Sequence, residues 1–436
     1  MKTALSKNLI KFIPVFIFII ILIGTLTDFT AEMHFSECAT SMRTGESNES
    51  GDADEAGHIC TPLLATPRTF TDDSTISVTL NSSHSLNTPV TSTISTAPST
   101  TNSSNGANNS SNTNSTNRLS NPVSSHINPL TGLTTASDIS QKRPVAVSIS
   151  NQRAALPTNA VNGISQADIV YEVLVEGGVT RFIALYQDIS NVGVIGSIRS
   201  ARHYTVEIVE AYDAIFIHAG GSPLGYEEIE RRGITNLDEV TGRRAQIFRR
   251  DTKRIPGQTV ENYHSVITSG ANVTQWFPTY GFRLTHSSSR QTLSFTDTPI
   301  PTGERAHKAV VRFSSGKSST FTYNQAQNTY SMSQFGSQFT DANNGNPVAF
   351  TNLLILEIPI TDLVGHGGGS GRQDMNTVGS GTGYFVSGGR YVKINWFRAD
   401  KTSPFIYTLE NGSEIELGRG RTYIGIVPPG MSTTFS

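Results

Sequence analysis

Three arginines and one glycine-rich loop are the parts of this sequence whose residue types are best suited to chemistry. Arg199 and Arg202 directly follow a short apolar run, and Arg181 lies within an earlier one. Guanidinium groups and the backbone N–H groups at the start of a helix both bind anions. We therefore predict a site for phosphate, pyrophosphate or carboxylate, whose members are Arg181, Arg199, Arg202 and, in the loop before Pro223, His218, Gly220, Gly221 and Ser222.

Carboxylates in the same part of the chain allow two further interpretations. Glu172 or Glu176 could pair with the arginines in a purely structural ion network. An enzyme acting on phosphate-containing precursors would instead need carboxylates to hold a divalent metal, and Glu176, Asp213 and Asp251 are available. No spacing in the sequence fixes the distances between them. We therefore predict no metal site and no cofactor, and we leave catalytic residues unassigned.

Other motifs point less clearly to a function. Residues Gly365–Gly371 resemble a phosphate-binding loop but lack its Gly-Lys-Ser/Thr ending, so a flexible connection is expected. No histidines have the spacing of a zinc protease, and no cysteine follows Arg118. Thiol chemistry and thiolate metal ligation are therefore excluded in that part of the chain.

A dense group of basic residues lies between positions 231 and 254. It could be a surface patch that faces an anionic wall polymer or lipid headgroups, or a solvated face with local ion pairs. Nucleic acid is not an expected partner, because no aromatic residues interleave with the basic ones. The members are Arg231, Arg232, Arg243, Arg244, Arg249, Arg250, Lys253 and Arg254.

Short apolar runs punctuated by glycine and proline predict the elements that position these residues. Residues 168–187 are expected to form two strands about Gly177-Gly178, although the first would also suit a helix that ends at the glycines. Before residue 275 we also expect strands over 144–150, 192–198 and 214–218 and helices over 204–211 and 226–232. After Trp276 the pattern favours strands over 309–313, 320–323, 329–333, 353–358, 391–397 and 423–427.

These elements predict an α/β fold. We expect a layered sandwich with mixed sheets, in which residues 128–275 form a mixed α/β half and residues 305–430 a mostly β half. The two halves could share one sheet.

The first 127 residues carry targeting and linking features. Residues 1–11 are basic and precede an apolar segment over 12–27, which is typical of an export signal. The residues after this segment fit a small-x-small cleavage site poorly, so a retained single-span anchor is favoured over a cleaved signal. The rest of the chain is expected outside the cell. An acidic arm over 28–73 contains Cys38 and Cys60, as a disulfide or as free thiols. The Ser/Thr/Asn-rich segment over 74–127 is expected to be a disordered linker.

The overall net charge conceals a difference between the acidic arm and the folded part of the chain. The chain has 33 Lys+Arg and 35 Asp+Glu, a formal net charge of −2, which excludes binding to polyanions through bulk charge. Residues after 118 are weakly basic and favour Arg over Lys, while the arm is acidic. Two cysteines exclude a disulfide-dense scaffold and a four-cysteine zinc module.

Seven segments, in order, resemble the YerB-like lipoprotein family, whose domain is the domain of unknown function numbered 3048. They are Asn128-Pro-Leu-Thr-Gly-Leu133, Ala167-Asp-Ile-Val-Tyr-Glu172, Glu176-Gly-Gly-Val-Thr-Arg-Phe182, Ile195-Gly-Ser-Ile-Arg-Ser-Ala-Arg202, Asp213-Ala-Ile-Phe-Ile-His-Ala-Gly-Gly-Ser-Pro223, Arg250-Asp251 and Gly420-Arg-Thr-Tyr-Ile-Gly-Ile-Val-Pro428. The resemblance implies a two-part, sandwich-like α/β domain on the outside of bacterial cells, with no established activity and a link to envelope maintenance.

Two features depart from the family. The chain lacks the lipidated cysteine of a lipoprotein, so anchoring would fall to residues 12–27. Residues 255–265, where the family tends to read Pro-His-Asn, here contain Gln258-Thr-Val-Glu-Asn262, which puts any role of that loop in doubt.

The sequence thus predicts a membrane-anchored, extracytoplasmic envelope protein that binds an anion through an arginine-lined cleft. Its expected partners are an anionic cell-wall polymer, a lipid-linked phosphate or an envelope protein. The alternatives are an envelope enzyme acting on phosphate-containing precursors and, for location, secretion after signal cleavage.

Overall fold

A sheet of eleven strands runs through the part of the chain that the computed structural model describes, residues 126–241, 245–287, 290–300, 302–365 and 371–436. The predicted basic segment, apolar segment, acidic arm with its cysteines, and nearly all of the linker lie outside these residues. So do Arg243, Arg244 and residues 366–370 of the glycine-rich connection. Within the described ranges, no helix is both long and apolar enough to cross a bilayer.

The described residues contain 28 short strands and three α-helices. The strands are β1 (His126–Ile127), β2 (Thr134–Thr135), β3 (Val145–Asn151), β4 (Ala160–Val161), β5 (Ile169–Leu174), β6 (Thr180–Tyr186), β7 (Val194–Gly196), β8 (Ile215–His218), β9 (Asn236–Asp238), β10 (Arg249–Arg250), β11 (Val266–Ser269), β12 (Phe295–Thr296), β13 (Glu304–Arg305), β14 (Lys308–Arg312), β15 (Ser318–Asn324), β16 (Thr329–Gln334), β17 (Ser337–Gln338), β18 (Thr340–Asp341), β19 (Ala349–Phe350), β20 (Asn352–Glu357), β21 (Ile360–Asp362), β22 (Gln373–Met375), β23 (Gly379–Ser387), β24 (Arg390–Arg398), β25 (Ile406–Leu409), β26 (Leu417–Gly418), β27 (Thr422–Val427) and β28 (Thr434–Phe435). The helices are α1 (His203–Ala211), α2 (Pro223–Arg231) and α3 (Gly270–Tyr280).

Both halves of the chain contribute to the large sheet. Its order is β13-β24-β23-β20-β27-β5-β6-β3-β8-β9, with β25 also paired to β24. The late strand β27 lies between β20 and β5 and runs parallel to both. The two predicted halves therefore share one sheet, and a strand from near the end of the chain joins them.

The large sheet has a hydrophobic core on each face. On β5, Val170 and Leu174 belong to one core, and Ile169, Tyr171 and Val173 belong to the other. The first core includes side chains from the second sheet, order β17-β16-β15-β14-β28, and the other includes side chains from α1. Burial on both faces explains why the strand sequences read as unbroken apolar runs.

The predicted α/β class is confirmed in its coarse form, as a strand-rich chain with several sheets. The first element of residues 168–187, left open between strand and helix, is the strand β5. The expected helix over 204–211 is α1, and the one over 226–232 begins earlier, at Pro223. The layered-sandwich arrangement stays a prediction.

Several short strands, the nine-residue strand β23 and the helix α3 were not predicted. Strand β23 contains three glycines, which usually weaken a strand. Here a Cβ on Gly383 would lie 2.2 Å from the Ile355 carbonyl oxygen, and one on Gly381 would lie 2.6 Å from Trp396 Nε1, so close packing requires glycine. Helix α3 was missed because it begins at Gly270 and contains Pro278, two residues that rarely occur inside helices.

A fully buried carboxylate connects the two sheets. Glu172 on β5 lies 3.1 Å from the ammonium nitrogen of Lys317, which directly precedes β15 and is itself buried. Burial lowers the pKa of Lys317, and the charge of Glu172 opposes that effect. The carboxylate also accepts hydrogen bonds from four side chains on β3, β6, β15 and β27. The donors are Asn151 (2.8 Å), Thr180 (2.6 Å), Ser319 (2.8 Å) and Tyr423 (2.7 Å).

The substitution Glu172→Gln should strongly destabilise the fold. It would leave the Lys317 ammonium buried without a counter-charge, at a cost of about 3–5 kcal/mol. Urea denaturation of the full chain measures this, with Glu304→Gln as the control because Glu304 is exposed and its hydrogen bond from the Tyr391 hydroxyl lies at the surface. A loss no larger than that of the control would contradict the role given to the ion pair.

Another carboxylate, Asp168, lies just before β5 and is held in place by Gln187 N–H (2.6 Å) and the Asn128 amide (2.9 Å). Burial raises the pKa of Asp168 to about 6, and these hydrogen bonds only partly oppose it. Between about pH 4 and pH 6, the carboxyl group of Asp168 therefore keeps its proton in the folded chain and loses it in the unfolded chain.

We expect Asp168 to make the protein less stable as the pH rises from about 4 to about 6, because the folded state binds the extra proton in that window. The substitution Asp168→Asn should remove this fall from the pH profile of the unfolding free energy. Asp297→Asn is the matched control, because the Asp297 side chain is 86 % exposed. A profile that Asp168→Asn leaves unchanged would refute the assignment.

Candidate anion-binding site

Two chain segments come together where the sequence predicts the site. The segment from Arg199 to Arg202 follows β7, and the loop from His218 to Ser222 joins β8 to α2. Their backbones pair through Ala219 N–H to Arg199 O (3.0 Å), Ala201 N–H to Gly220 O (2.9 Å) and Ser222 N–H to Ala201 O (3.1 Å). The two predicted groups of residues are therefore adjacent.

The glycine loop, however, uses its polar groups within the protein. Gly220 N–H donates to the carboxylate of Asp238 at 2.8 Å, and the Ser222 hydroxyl caps α2 by accepting from Gly225 N–H at 3.1 Å. His218 is fully buried, with Nδ1 2.9 Å from Gly220 O. Burial lowers the pKa of His218, although the Asp238 charge opposes this.

This geometry corrects the argument from which the loop was predicted. The backbone N–H groups of Gly220 and Ser222 were expected to face an external anion, but they donate to Asp238 and to Ala201. Gly221 packs against Tyr226, because a Cβ added to Gly221 would lie 3.2 Å from the Tyr226 ring. The loop therefore acts as a support for the neighbouring arginine segment.

The three arginines do converge. Arg181, on β6, is only 7 % exposed, and its Nη1 donates to Ser200 O at 2.6 Å. Burial lowers the pKa of Arg181 to about 9, and the positive charges of Arg202 and Arg199 lower it further. Among the described residues, nothing accepts a hydrogen bond from its buried Nε.

Arg199 has a similar environment. Its Nη1 donates to Tyr263 O at 2.6 Å, and its guanidinium lies 5.9 Å from the centre of the Tyr263 ring. Burial and the charge of Arg202 lower its pKa. Its Nε is also buried and finds no acceptor in the described part of the chain.

Arg202 is the one arginine of the three with a carboxylate partner. Its Nε and Nη2 donate to the two oxygens of Glu176 at 2.5 and 2.7 Å. Burial opposes ionisation of Glu176, but the hydrogen bonds and charge of Arg202 hold the pKa of Glu176 below its usual value. The cluster formed by Arg181, Arg199, Arg202 and Glu176, called here the arginine cluster, thus carries an excess of positive charge.

Glu172 and Asp251, two other carboxylates that the sequence offers as acidic partners at this site, lie elsewhere. The side chain of Glu172 reaches the core on one face of the sheet, where it meets Lys317, whereas Arg181 on the next strand faces the opposite side. Asp251 accepts from the backbone N–H of Lys253 at 2.9 Å and so closes a surface turn. Neither fits the predicted role as a partner of the arginines.

The sequence did not identify His264, which lies near Arg199. His264 is fully buried, and neither of its ring nitrogens has a hydrogen-bond partner among the described residues. Burial lowers its pKa to about 4, with further contributions from the charges of Arg199 and Arg254. A signal was present in the doubtful segment 255–265, since it supplies both His264 and the Tyr263 carbonyl that holds Arg199.

Three of the six described residues of the dense basic segment, Arg231, Arg232 and Arg250, form local ion pairs. Arg231 and Arg232 pair with Glu228, and Arg232 also pairs with Glu210. Elsewhere in the segment, Arg250 pairs with Glu239 at 2.9 Å, and Arg254 is buried with its Nε donating to His264 O at 2.9 Å. The interpretation as a face with local ion pairs therefore fits these residues better than a free cationic patch.

Comparisons with known proteins match this architecture to a family. The model of the "Protein of unknown function (DUF3048) N-terminal domain" matches residues 130–282, and that of the C-terminal domain of the same family matches residues 309–424. The chain is similar to "Putative lipoprotein YerB" of Bacillus subtilis, with 28 % identity over 305 residues that cover 69 % of this chain and 86 % of that protein. It is also similar to the crystal structure of the YerB protein from Bacillus subtilis, with a TM-score of 0.61 and 27 % identity over 71 % of this chain and 99 % of that one. The chain therefore belongs to the YerB-like family.

The contact between Arg202 and Glu176 allows a direct test of the charge balance. The substitution Glu176→Gln would release Arg202 and add one unit of positive charge to the cluster. We expect affinity for inorganic pyrophosphate to rise about threefold to tenfold. Stability at pH 7 should fall, because a carboxylate whose pKa is lowered on folding stabilises the fold above its unfolded pKa.

Isothermal titration calorimetry of the full chain at low salt measures the affinity, with Glu414→Gln as the control for a lost surface carboxylate, because Glu414 is exposed and belongs to neither the arginine cluster nor its support. An affinity that is unchanged or weaker in Glu176→Gln would show that the arginine cluster is not where the anion binds.

Proposed function

We propose that this chain is an envelope-associated protein, located outside the cell membrane, that binds an anionic group through Arg181, Arg199 and Arg202. The location is supported by the basic start and apolar segment over 12–27 and by the description of its relative as a lipoprotein. Residues 12–27 would anchor the chain, and the folded part would be a layered sandwich presenting the arginine cluster to the exterior.

One observation carries the binding role. Three guanidinium groups interact with one carboxylate, and the Nε atoms of Arg181 and Arg199 are buried without an acceptor in the described residues. Burying an unpaired donor or an excess charge destabilises a fold unless a partner compensates it. An oxyanion at the cluster would supply a missing acceptor and neutralise the excess charge.

The chemistry of the cluster favours a phosphate-containing ligand. Guanidinium groups present paired N–H donors that match phosphate and carboxylate oxygens. Outside a bacterial cell, such groups occur in anionic wall polymers and in lipid-linked phosphates, which are the partner classes proposed here. An envelope protein could present the same group.

The enzymatic alternative lacks a comparable observation. Glu176 is engaged by Arg202, while Glu172 and Asp251 serve other parts of the fold. Since a metal-assisted or acid-base mechanism would need a carboxylate at the cluster that is not already paired with an arginine, we propose binding without turnover.

The substitution Arg199→Gln tests the proposal. It removes one charged donor of the cluster but keeps a side chain of similar reach. We expect the affinity of the full chain for inorganic pyrophosphate to fall about tenfold to a hundredfold, because hydrogen bonds to charged groups contribute about 1.5–3 kcal/mol. Calorimetric titration at low salt measures the effect.

The control is Arg419→Gln, because Arg419 is an exposed arginine whose partner Asp297 lies on the surface. Equal losses in both variants would indicate nonspecific charge attraction and overturn the proposal. Release of orthophosphate during the titration would favour the enzymatic alternative.

A further inference from the structure

Two arginines face each other at one edge of the large sheet. The short strand β13 pairs with β24 in antiparallel register, so Arg305 lies directly opposite Arg390 and Glu304 directly opposite Tyr391. Side chains at directly opposite positions project from the same face and interact, and like charges in this arrangement are destabilising. A cross-strand arginine pair therefore needs a compensating negative charge.

The protein does not supply that charge within the described residues. The carboxylate of Glu304 projects from the other face of the ladder and accepts from the Tyr391 hydroxyl at 2.7 Å. Arg390 donates one hydrogen bond, from Nη1 to Gly303 O at 2.8 Å. In the described ranges no carboxylate lies within ion-pair distance of either arginine, and the Arg305 side chain makes no hydrogen bond.

The pair borders a cavity of about 330 Å³. Its other walls are His307, Tyr323, Gln325 and the turn Gly388-Gly389 that joins β23 to β24. The lining contains no acidic side chain.

Backbone hydrogen bonds fix these walls. Ala306 N–H donates to Gly389 O at 2.8 Å, and Tyr323 N–H donates to His307 O at 2.8 Å. A Cβ on Gly389 would lie 2.9 Å from the Tyr323 ring, so glycine is needed for the turn to pack against it. The backbone that carries the lining side chains is thus held in place before any ligand arrives.

We propose that this cavity, the Arg305–Arg390 pocket, is a second anion-binding site and that it takes a phosphate monoester. A carboxylate has two oxygens and is satisfied by one guanidinium, whereas a phosphate monoester has three terminal oxygens and close to two negative charges. Two opposed guanidinium groups with His307 beside them match the latter. Gln325 and the Tyr323 ring would contact the group that carries the phosphate, and the polar lining suits a sugar or glycerol.

The pocket is separate from the arginine cluster. Arg390 lies on β24 and Arg181 on β6, and these strands are five positions apart in the sheet order β24-β23-β20-β27-β5-β6. At about 4.8 Å between neighbouring strands, this corresponds to roughly 24 Å. The two sites therefore cannot share one phosphate group, and their failures are distinguishable.

Calorimetric titration of the full chain with glycerol 3-phosphate at low salt tests the inference, with inorganic phosphate and acetate as comparison probes. The double variant R305Q/R390Q should lose this site, with affinity about tenfold to a hundredfold weaker, while the binding that depends on Arg199 persists. The matched control is Arg312→Gln, because Arg312 is exposed on β14 and does not line the pocket. Removing the repulsion should leave the unliganded double variant at least as thermally stable as the wild type.

Several results would overturn the inference. They are undiminished glycerol 3-phosphate binding in the double variant, an equal loss in Arg312→Gln, and no binding to the wild type at millimolar probe. Tighter binding of acetate than of phosphate would contradict the assigned ligand class. If the double variant does not fold, Arg390→Lys, which keeps the charge but loses the planar donor pair, should still weaken phosphate binding measurably.

Discussion

The ion pair between Glu172 and Lys317 is the interaction on which most of this architecture depends. Glu172 sits on β5, which is next to β27, the strand that joins the two halves of the large sheet. Lys317 directly precedes β15 of the second sheet. Removing either charge would leave the other buried, and the cost of an isolated buried ion is several kcal/mol. Because donors from both halves also converge on the same carboxylate, sheet pairing, sheet packing and the polar network are all coupled at Glu172.

The pleat of the large sheet places the paired charge of Glu172 on one face and the charge of Arg181, which has no carboxylate partner of its own among the described residues, on the other. On the neighbouring strand, Arg181 faces the opposite side and meets Arg199 and Arg202. Glu172 therefore cannot compensate the arginines, although it is close in sequence. Alternation along strands, with a side-chain period of two, thus decides which charges on β5 and β6 reach a partner across the core and which do not.

Sequence reasoning located the arginines and most long strands, because apolar runs, turn glycines and charged residues leave local signals. It misjudged the loop at Gly220, because the competing carboxylate of Asp238 comes from another strand and no local pattern reveals it. The segment 255–265 that contains His264 departs from the family in sequence, but the burial of His264 beside Arg199 depends on contacts between distant segments and so was not predicted. The strand β23 escaped notice because its glycines are required by packing against Ile355 and Trp396, which is a tertiary constraint.

The support around the arginine cluster gives the strongest physical reason to regard its charge excess as functional. A desolvated guanidinium such as Arg181 lowers stability in the unliganded state, and random substitution would readily replace it with an apolar residue of similar size. Instead, the Ser200 carbonyl fixes Arg181, the Tyr263 carbonyl fixes Arg199, and Glu176 fixes Arg202. The two carbonyl contacts orient Arg181 and Arg199 while leaving their charges uncompensated, so the fold organises these two cations without neutralising them. Such preorganisation lowers the free-energy cost of binding, since the donors are already ordered when an anion arrives.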